Sequence, residues 1–192
     1  MRFRTKPNPG ARIDPGLLFL GSILSSPGHG HPVEIAVCDD RLKVTSWTVA
    51  PHRDWSARFA EAPAMADAPG GASTVVEAGM VAAALHEHLA GATMVCSTDF
   101  VTDACALQLL YHATGISCGT DLFDDAVAFD GRPEMERPGM MNRYQIAAAL
   151  SQRHWGCDGT LIGRIQARAA ARRLLVDDVF FESLATYDAG LS

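Results

Sequence analysis

Apolar positions fall into short runs at the start of the chain and into long periodic stretches later. Residues 17–22, 33–38 and 42–49 are brief apolar or β-branched runs bounded by turn-forming residues. The first gap carries Pro27, Gly28, His29, Gly30, His31 and Pro32, and the second is the polar turn Asp39, Asp40, Arg41. This spacing predicts a three-stranded antiparallel meander. Over residues 74–89 the pattern turns helical: Val75, Met80, Val81, Ala84, Leu85 and Leu89 supply an apolar side, and Ala90-Gly91 ends it. Residues 93–97 read as a short buried strand. Residues 102–114 read as a helix with Leu107, Leu110 and Tyr111 inward and Gly115 just beyond it. Short helices are expected within 51–62, with Asp54 near the start, and within 121–129. Residues 66–73 and 131–139 read as loops. Three more helices are expected at 142–152, 159–175 and 176–187, the last docking through Val179, Phe180, Phe181 and Leu184.

A strand joined through helices to another strand gives the α/β class, with a central mixed sheet of meander plus parallel strands flanked by helices. The 192 residues suit one domain with a real core. Residues 1–15, with Pro7, Pro9, Gly10 and Pro15, read as a flexible arm, and 16–192 as the domain. No apolar run is long enough to cross a bilayer, so no membrane partner is expected. The basic start lacks the cleavage pattern of a secretory signal. The cysteines, Cys38, Cys96, Cys105, Cys118 and Cys157, are odd in number, scattered and without a CxxC pair. They read as reduced thiols of a cytoplasmic protein rather than as zinc ligands. A net charge of −6 weighs against strong nonspecific binding to nucleic acid.

Four segments carry a family likeness. Residues 19–36 read FLGSILSSPGHGHPVEIA, and residues 48–65 read TVAPHRDWSARFAEAPAM. Residues 79–115 hold a helix, a strand and Asp103. His154 stands shortly before an Asp and an Ala-rich helix. In this order, over residues 17–175, the chain resembles the DEDD superfamily of 3′–5′ exonucleases, which includes ribonuclease T and polymerase proofreading domains. The resemblance implies a ribonuclease-H-like layout and a first strand carrying Asp-x-Glu. It also implies a second motif with an Asp, here Asp103, and a third with His154 and an Asp five residues on. The first-motif pair falls on Gly21 and Ile23. The third-motif Asp falls on Gly159, with Asp158 one residue early.

In such enzymes two Mg²⁺ or Mn²⁺ ions about 3.5–4 Å apart activate water and stabilise the leaving oxygen. Hard cations of this kind take oxygen ligands, chiefly carboxylates. With Gly21 and Ile23 in the first motif, Asp103 and Asp158 are vestigial metal positions and His154 a vestigial catalytic one. The resemblance therefore implies a catalytically degenerate protein that holds no resident cofactor. It would bind a nucleic-acid 3′ end, a nucleotide or a protein partner, and a homodimer would accord with the fold. The alternative is an active metal-dependent 3′–5′ exonuclease or phosphodiesterase with a rearranged site of Asp103, His154 and Asp158, served by Mg²⁺ or Mn²⁺ and helped by Glu34.

Each candidate also has a plainer reading. Asp103 begins a helix turn and suits a cap, and Asp158 before Gly159-Thr160 suits the cap of the next helix. His154 has the chemistry to act as a base for water near neutral pH, yet alone beside Trp155 it reads first as a partly buried structural histidine. His29 and His31 alternate in a loop but lack a third ligand, and His86 and His88 fall on the exposed side of their helix. Arg164, Arg168 and Arg172 recur at i, i+4 and i+8, which makes a stripe able to track a phosphate backbone. The plainer expectation is a solvated face paired with nearby carboxylates.

Overall fold

The computed structural model describes residues 16–26, 30–56, 74–117, 119–129 and 140–189. In chain order its elements are β1 (Leu17–Leu24), β2 (Pro32–Asp39), β3 (Val44–Val49), α1 (Arg53–Ser56), β4 (Val75–Val76), α2 (Ala78–Ala90), β5 (Met94–Ser97), α3 (Phe100–Thr114), β6 (Leu122–Asp124), α4 (Ala126–Phe129), α5 (Met140–Trp155), α6 (Leu161–Val176) and α7 (Asp178–Ala189). The six strands form one mixed sheet in the order β4-β3-β2-β1-β5-β6. The β1–β2 and β2–β3 pairs are antiparallel, while β5 runs parallel to β1, β6 to β5, and β4 to β3. The chain is thus an α/β protein whose mixed sheet is flanked by helices.

Alternation along β1 shows how the layers are assigned. Leu17 and Phe19 join a core cluster with Ala147 and Leu150 of α5 and Leu161, Ile165 and Leu174 of α6, and Ile23 packs against it. Leu20 belongs to the opposite cluster, with Val81 and Leu85 of α2 and Leu107 and Leu110 of α3. Odd positions of β1 therefore face α5 and α6, and even positions face α2 and α3, as the period-two pleat requires. The meander turn is braced by Asp39, whose Oδ1 accepts from the N–H groups of Arg41 (2.9 Å) and Lys43 (2.8 Å). Leu42 takes a left-handed φ of 67° within it.

Met80 and Val179, expected on the inner sides of their helices, are 64% and 74% exposed, while Phe180, Phe181 and Leu184 do pack against the core. Two element assignments also need correction. The helix read over 74–89 begins only at Ala78, because Val75 and Val76 pair with the open edge of β3 at Thr48 and Val49. The short helix read over 121–129 is a strand followed by one helical turn. Leu122, Phe123 and Asp124 take partners on β5, and Asp124 Oδ1 then accepts the Ala126 N–H to start α4. In both places an unpaired strand edge offered hydrogen bonds that local pattern does not reveal. The arm at 1–15, the loops at 66–73 and 131–139, His29 and Cys118 lie outside the described residues.

Cys38 and Cys96 are buried in the sheet, Cys105 is half-buried, and Cys157 is exposed. Burial, helped by nearby Asp charges, pushes the Cys38 and Cys96 thiols up to about 12. Because the thiolate is the reactive form, peptide mass spectrometry after brief alkylation at pH 8 should show Cys157 modified. Cys38 and Cys96 should stay unmodified until denaturant is added. Prompt labelling of either buried thiol in the native protein would contradict this packing.

Candidate functional site

Gly21 and Ile23 lie on the α6 side of β1. A Cβ built on Gly21 would stand 2.8 Å from Ile165 Cγ2, 2.9 Å from Leu161 Cδ1 and 3.1 Å from Thr98 Oγ1. The first two helical turns of α6 therefore fill the space a side chain at 21 would need. Ile23 packs into the same apolar cluster, and its cross-strand partner is Glu34. Burial raises the Glu34 carboxyl, and the charge of Arg164 partly lowers it again. Glu34 and Arg164 are thus electrostatic neighbours across the β2–α6 contact.

Asp103 is held from the other face. It is fully buried in the first turn of α3. Its Oδ1 accepts from Ser22 Oγ at 2.6 Å and its Oδ2 from Ser97 Oγ at 2.5 Å. The Asp99 N–H adds a longer bond to Oδ2 at 3.3 Å. Ser22 follows Gly21 on β1, so its side chain emerges on the α3 face, and Ser97 ends β5 on that same face. Burial pushes the Asp103 carboxyl up, and the serine and backbone donors pull it part of the way back. Asp103 does not cap α3: that role belongs to Asp99, whose carboxylate accepts from the Thr102 N–H and hydroxyl.

The third-motif candidates lie with α5 and α6. His154 is half-buried in the last turn of α5, its ring 5.7 Å from that of Trp155, which in turn lies 6.2 Å from Phe180 of α7. Asp158 is exposed in the α5–α6 connection. Its Oδ1 accepts from the Thr160 N–H at 3.0 Å and from Thr160 Oγ at 2.9 Å. Thr160 is the N-cap of α6 and accepts from the Gly163 N–H at 3.0 Å. Asp158 thus braces the cap rather than forming it. His154 and Asp158 belong to the layer that covers Gly21, whereas Asp103 is tied into the opposite layer.

The arginine stripe is divided by burial. Arg164 is exposed. Arg168 donates to Asp125, a buried carboxylate just after β6, and its guanidinium lies 5.0 Å from the Phe129 ring centroid. Burial disfavours the Arg168 cation, yet the bond to Asp125 and the charge of Asp125 more than restore it. Arg172 is only 5% exposed. The expectation of one solvated face is corrected here: α6 lies flat on the sheet and against α5, so successive turns of the stripe pass from solvent into the core.

These residues do not fit a pair of divalent cations. Gly21 and Ile23 offer no oxygen, Asp103 already accepts from two hydroxyls, and Asp158 is committed to a helix cap. Among the described residues no three His, Cys, Asp or Glu side chains gather where they would hold a metal ion. No described helix is long and apolar enough to cross a membrane.

Sequence reasoning passed over Ser22 and Ser97. Their signal was a lone hydroxyl inside each of two otherwise apolar strands, which must find a buried partner. It also passed over a ring cluster at the carboxyl ends of β1 and β3. There His31 stacks on Trp55 at 5.7 Å and 18°, and His52 meets the same indole edge-on at 5.7 Å. Ser25 Oγ lies 3.1 Å from His31 Nδ1, and burial lowers the His31 imidazole below its usual range. No protein-family model matches the chain, and no curated protein matches it either.

Proposed function

We propose that this chain is a catalytically degenerate relative of the 3′–5′ exonucleases, with a ribonuclease-H-like core, and that it acts by binding rather than by metal-dependent hydrolysis. The observation that carries this reading is the contact at Gly21. Where the resembling enzymes present a carboxylate to two cations, this strand presents a hydrogen atom, and Leu161 and Ile165 lie against it. The strand order supports the lineage: three antiparallel strands from β3 to β1, then β5 and β6 parallel to β1, accord with a ribonuclease-H-like layout. The bound species would be a nucleic-acid end, a nucleotide or a protein. A net charge of −6 and the commitment of Arg168 to Asp125 favour a ligand recognised without a long basic track.

The test is direct. Labelled single-stranded DNA and RNA incubated with the protein and Mg²⁺ or Mn²⁺ should remain full length, and Mn²⁺ should leave the melting temperature unchanged. Metal-dependent shortening from the 3′ end that is lost in Asp103→Asn would overturn the proposal. It would favour instead a nuclease with a rearranged site.

A further inference from the structure

We propose that Asp103 serves as a clamp across the fork between β1 and β5. The backbone geometry locates the fork. Paired residues run from Leu17↔Met94 to Leu20↔Ser97, and the Thr98 N–H donates the next bond to Leu20 O at 3.1 Å. Beyond that point β1 continues to Leu24 while the other chain turns away into α3. Carboxyl ends of neighbouring parallel strands that diverge in this way open the crevice in which α/β sheets place their ligands.

Here the crevice is bridged. Ser22 stands on β1 past the last pairing, Ser97 is the last residue of β5, and Asp103 on α3 receives a hydroxyl from each. The same carboxylate takes the Asp99 N–H, and the Asp103 N–H donates to Asp99 O at 2.9 Å, so the connection from β5 to α3 is tied into the bridge. Ser22 is 5% exposed, Ser97 1% and Asp103 0%. All three are shut off from bulk solvent, so loss of one removes the hydrogen-bond partner of the others. A cation at Asp103 would have to displace two short hydroxyl bonds while gaining nothing from Gly21 or Ile23, which emerge on the other face. The clamp rests on these hydrogen bonds and not on the exonuclease-like reading.

The experiment is hydrogen exchange of the full chain resolved to single amides, on the wild type, Ser22→Ala, Asp103→Ala, Asp103→Asn and the Ser22→Ala/Asp103→Ala pair. Asp103→Ala should speed exchange at Thr98 and Asp99 at least tenfold relative to amides of α5 and α6. Asp103→Asn, which can still accept from Ser22, should recover most of that protection. The double variant should be no worse than Asp103→Ala alone, because the two residues act as one unit. Acceleration spread evenly over the molecule, or independent additive effects, would overturn the clamp. So would protection of Thr98 and Asp99 by Mn²⁺ in the wild type. If Asp103→Ala unfolds, Ser22→Ala alone decides between local and uniform acceleration. Metal-dependent shortening of nucleic acid that persists in Asp103→Ala would instead defeat the degenerate-enzyme reading and leave the clamp standing.

Discussion

Gly21→Asp is expected to unfold most of the protein, or to lower its melting temperature by more than about 10 °C. The first contribution is steric. The new Cβ meets Ile165 Cγ2 at 2.8 Å and Leu161 Cδ1 at 2.9 Å. A leucine methyl can rotate away, but an isoleucine Cγ2 is fixed by its branched Cβ and moves only with the helix. Overpacking of this kind costs about 1–3 kcal/mol. The second contribution is the carboxylate, which would be ionised against Ile165 and Leu161, with the Thr98 hydroxyl as its near polar neighbour and a hydroxyl being a weak substitute for a cation. An unpaired buried charge adds several kcal/mol or forces protonation. Together these approach the whole of a typical domain's stability, about 5–15 kcal/mol. Gly21→Ala isolates the steric part and should lower stability by about 1–3 kcal/mol in urea. Trimming the neighbour in Gly21→Ala/Ile165→Ala should then cost less than the sum of the two single changes. A wild-type midpoint for Gly21→Asp would show that α6 does not seat on this glycine, and would remove the observation on which the proposed function rests.

The same contact shows what was legible in the sequence and what was not. The meander and β5 followed from short apolar runs, since β1 and β5 are buried on both faces, and α2, α3 and the three C-terminal helices followed from apolar positions at helical spacing. β4 and β6 did not follow, since two and three residues acquire strand character only from the edge they meet. The absent oxygen ligands at 21 and 23 could be read directly from residue type. Whether Asp103 faced the same side as those positions could not, because that depends on which of Ser22 and Gly21 points toward α3. The alternation of β1 decides it: Gly21 belongs with Leu17, Phe19 and Ile23, and Ser22 with Leu20. The arginine stripe failed for a related reason. An i, i+4, i+8 series follows a helix faithfully, but which part of that face the neighbouring layer covers is a tertiary fact. Here Arg164 stays in solvent, whereas Arg172 is taken into the core.

That division makes Arg168 the other position of large effect. Its partner Asp125 is buried, with a side chain 12% exposed, while Arg168 itself is 36% exposed. The Asp125 N–H also donates to Ser97 O at 3.0 Å, so the pair joins α6 to the carboxyl end of β5 and to the start of α4. Arg168→Ala leaves the Asp125 carboxylate without its cation in a site open to little water. Breaking a fully buried pair costs about 3–5 kcal/mol, and the partial exposure of Arg168 brings the expectation down to about 2–3 kcal/mol. Arg168→Lys should recover only part, since a lysine ammonium keeps the charge but not the planar group over Phe129. Asp125→Asn paired with Arg168→Ala should be milder than Arg168→Ala alone, because it removes the orphaned charge. Urea midpoints of the wild type, Arg168→Ala, Asp125→Asn and the double variant close the cycle and read this as a coupling. The alternative role for Arg168, a phosphate contact, predicts a different pattern: unchanged midpoints for Arg168→Ala with weaker binding to single-stranded nucleic acid at low salt. Arg164→Ala is the control, expected to leave the midpoint within about 0.5 kcal/mol of the wild type because its guanidinium is exposed. If Arg168→Ala behaves like that control, Asp125 must be satisfied by some other group, and α6 is free to offer a basic face.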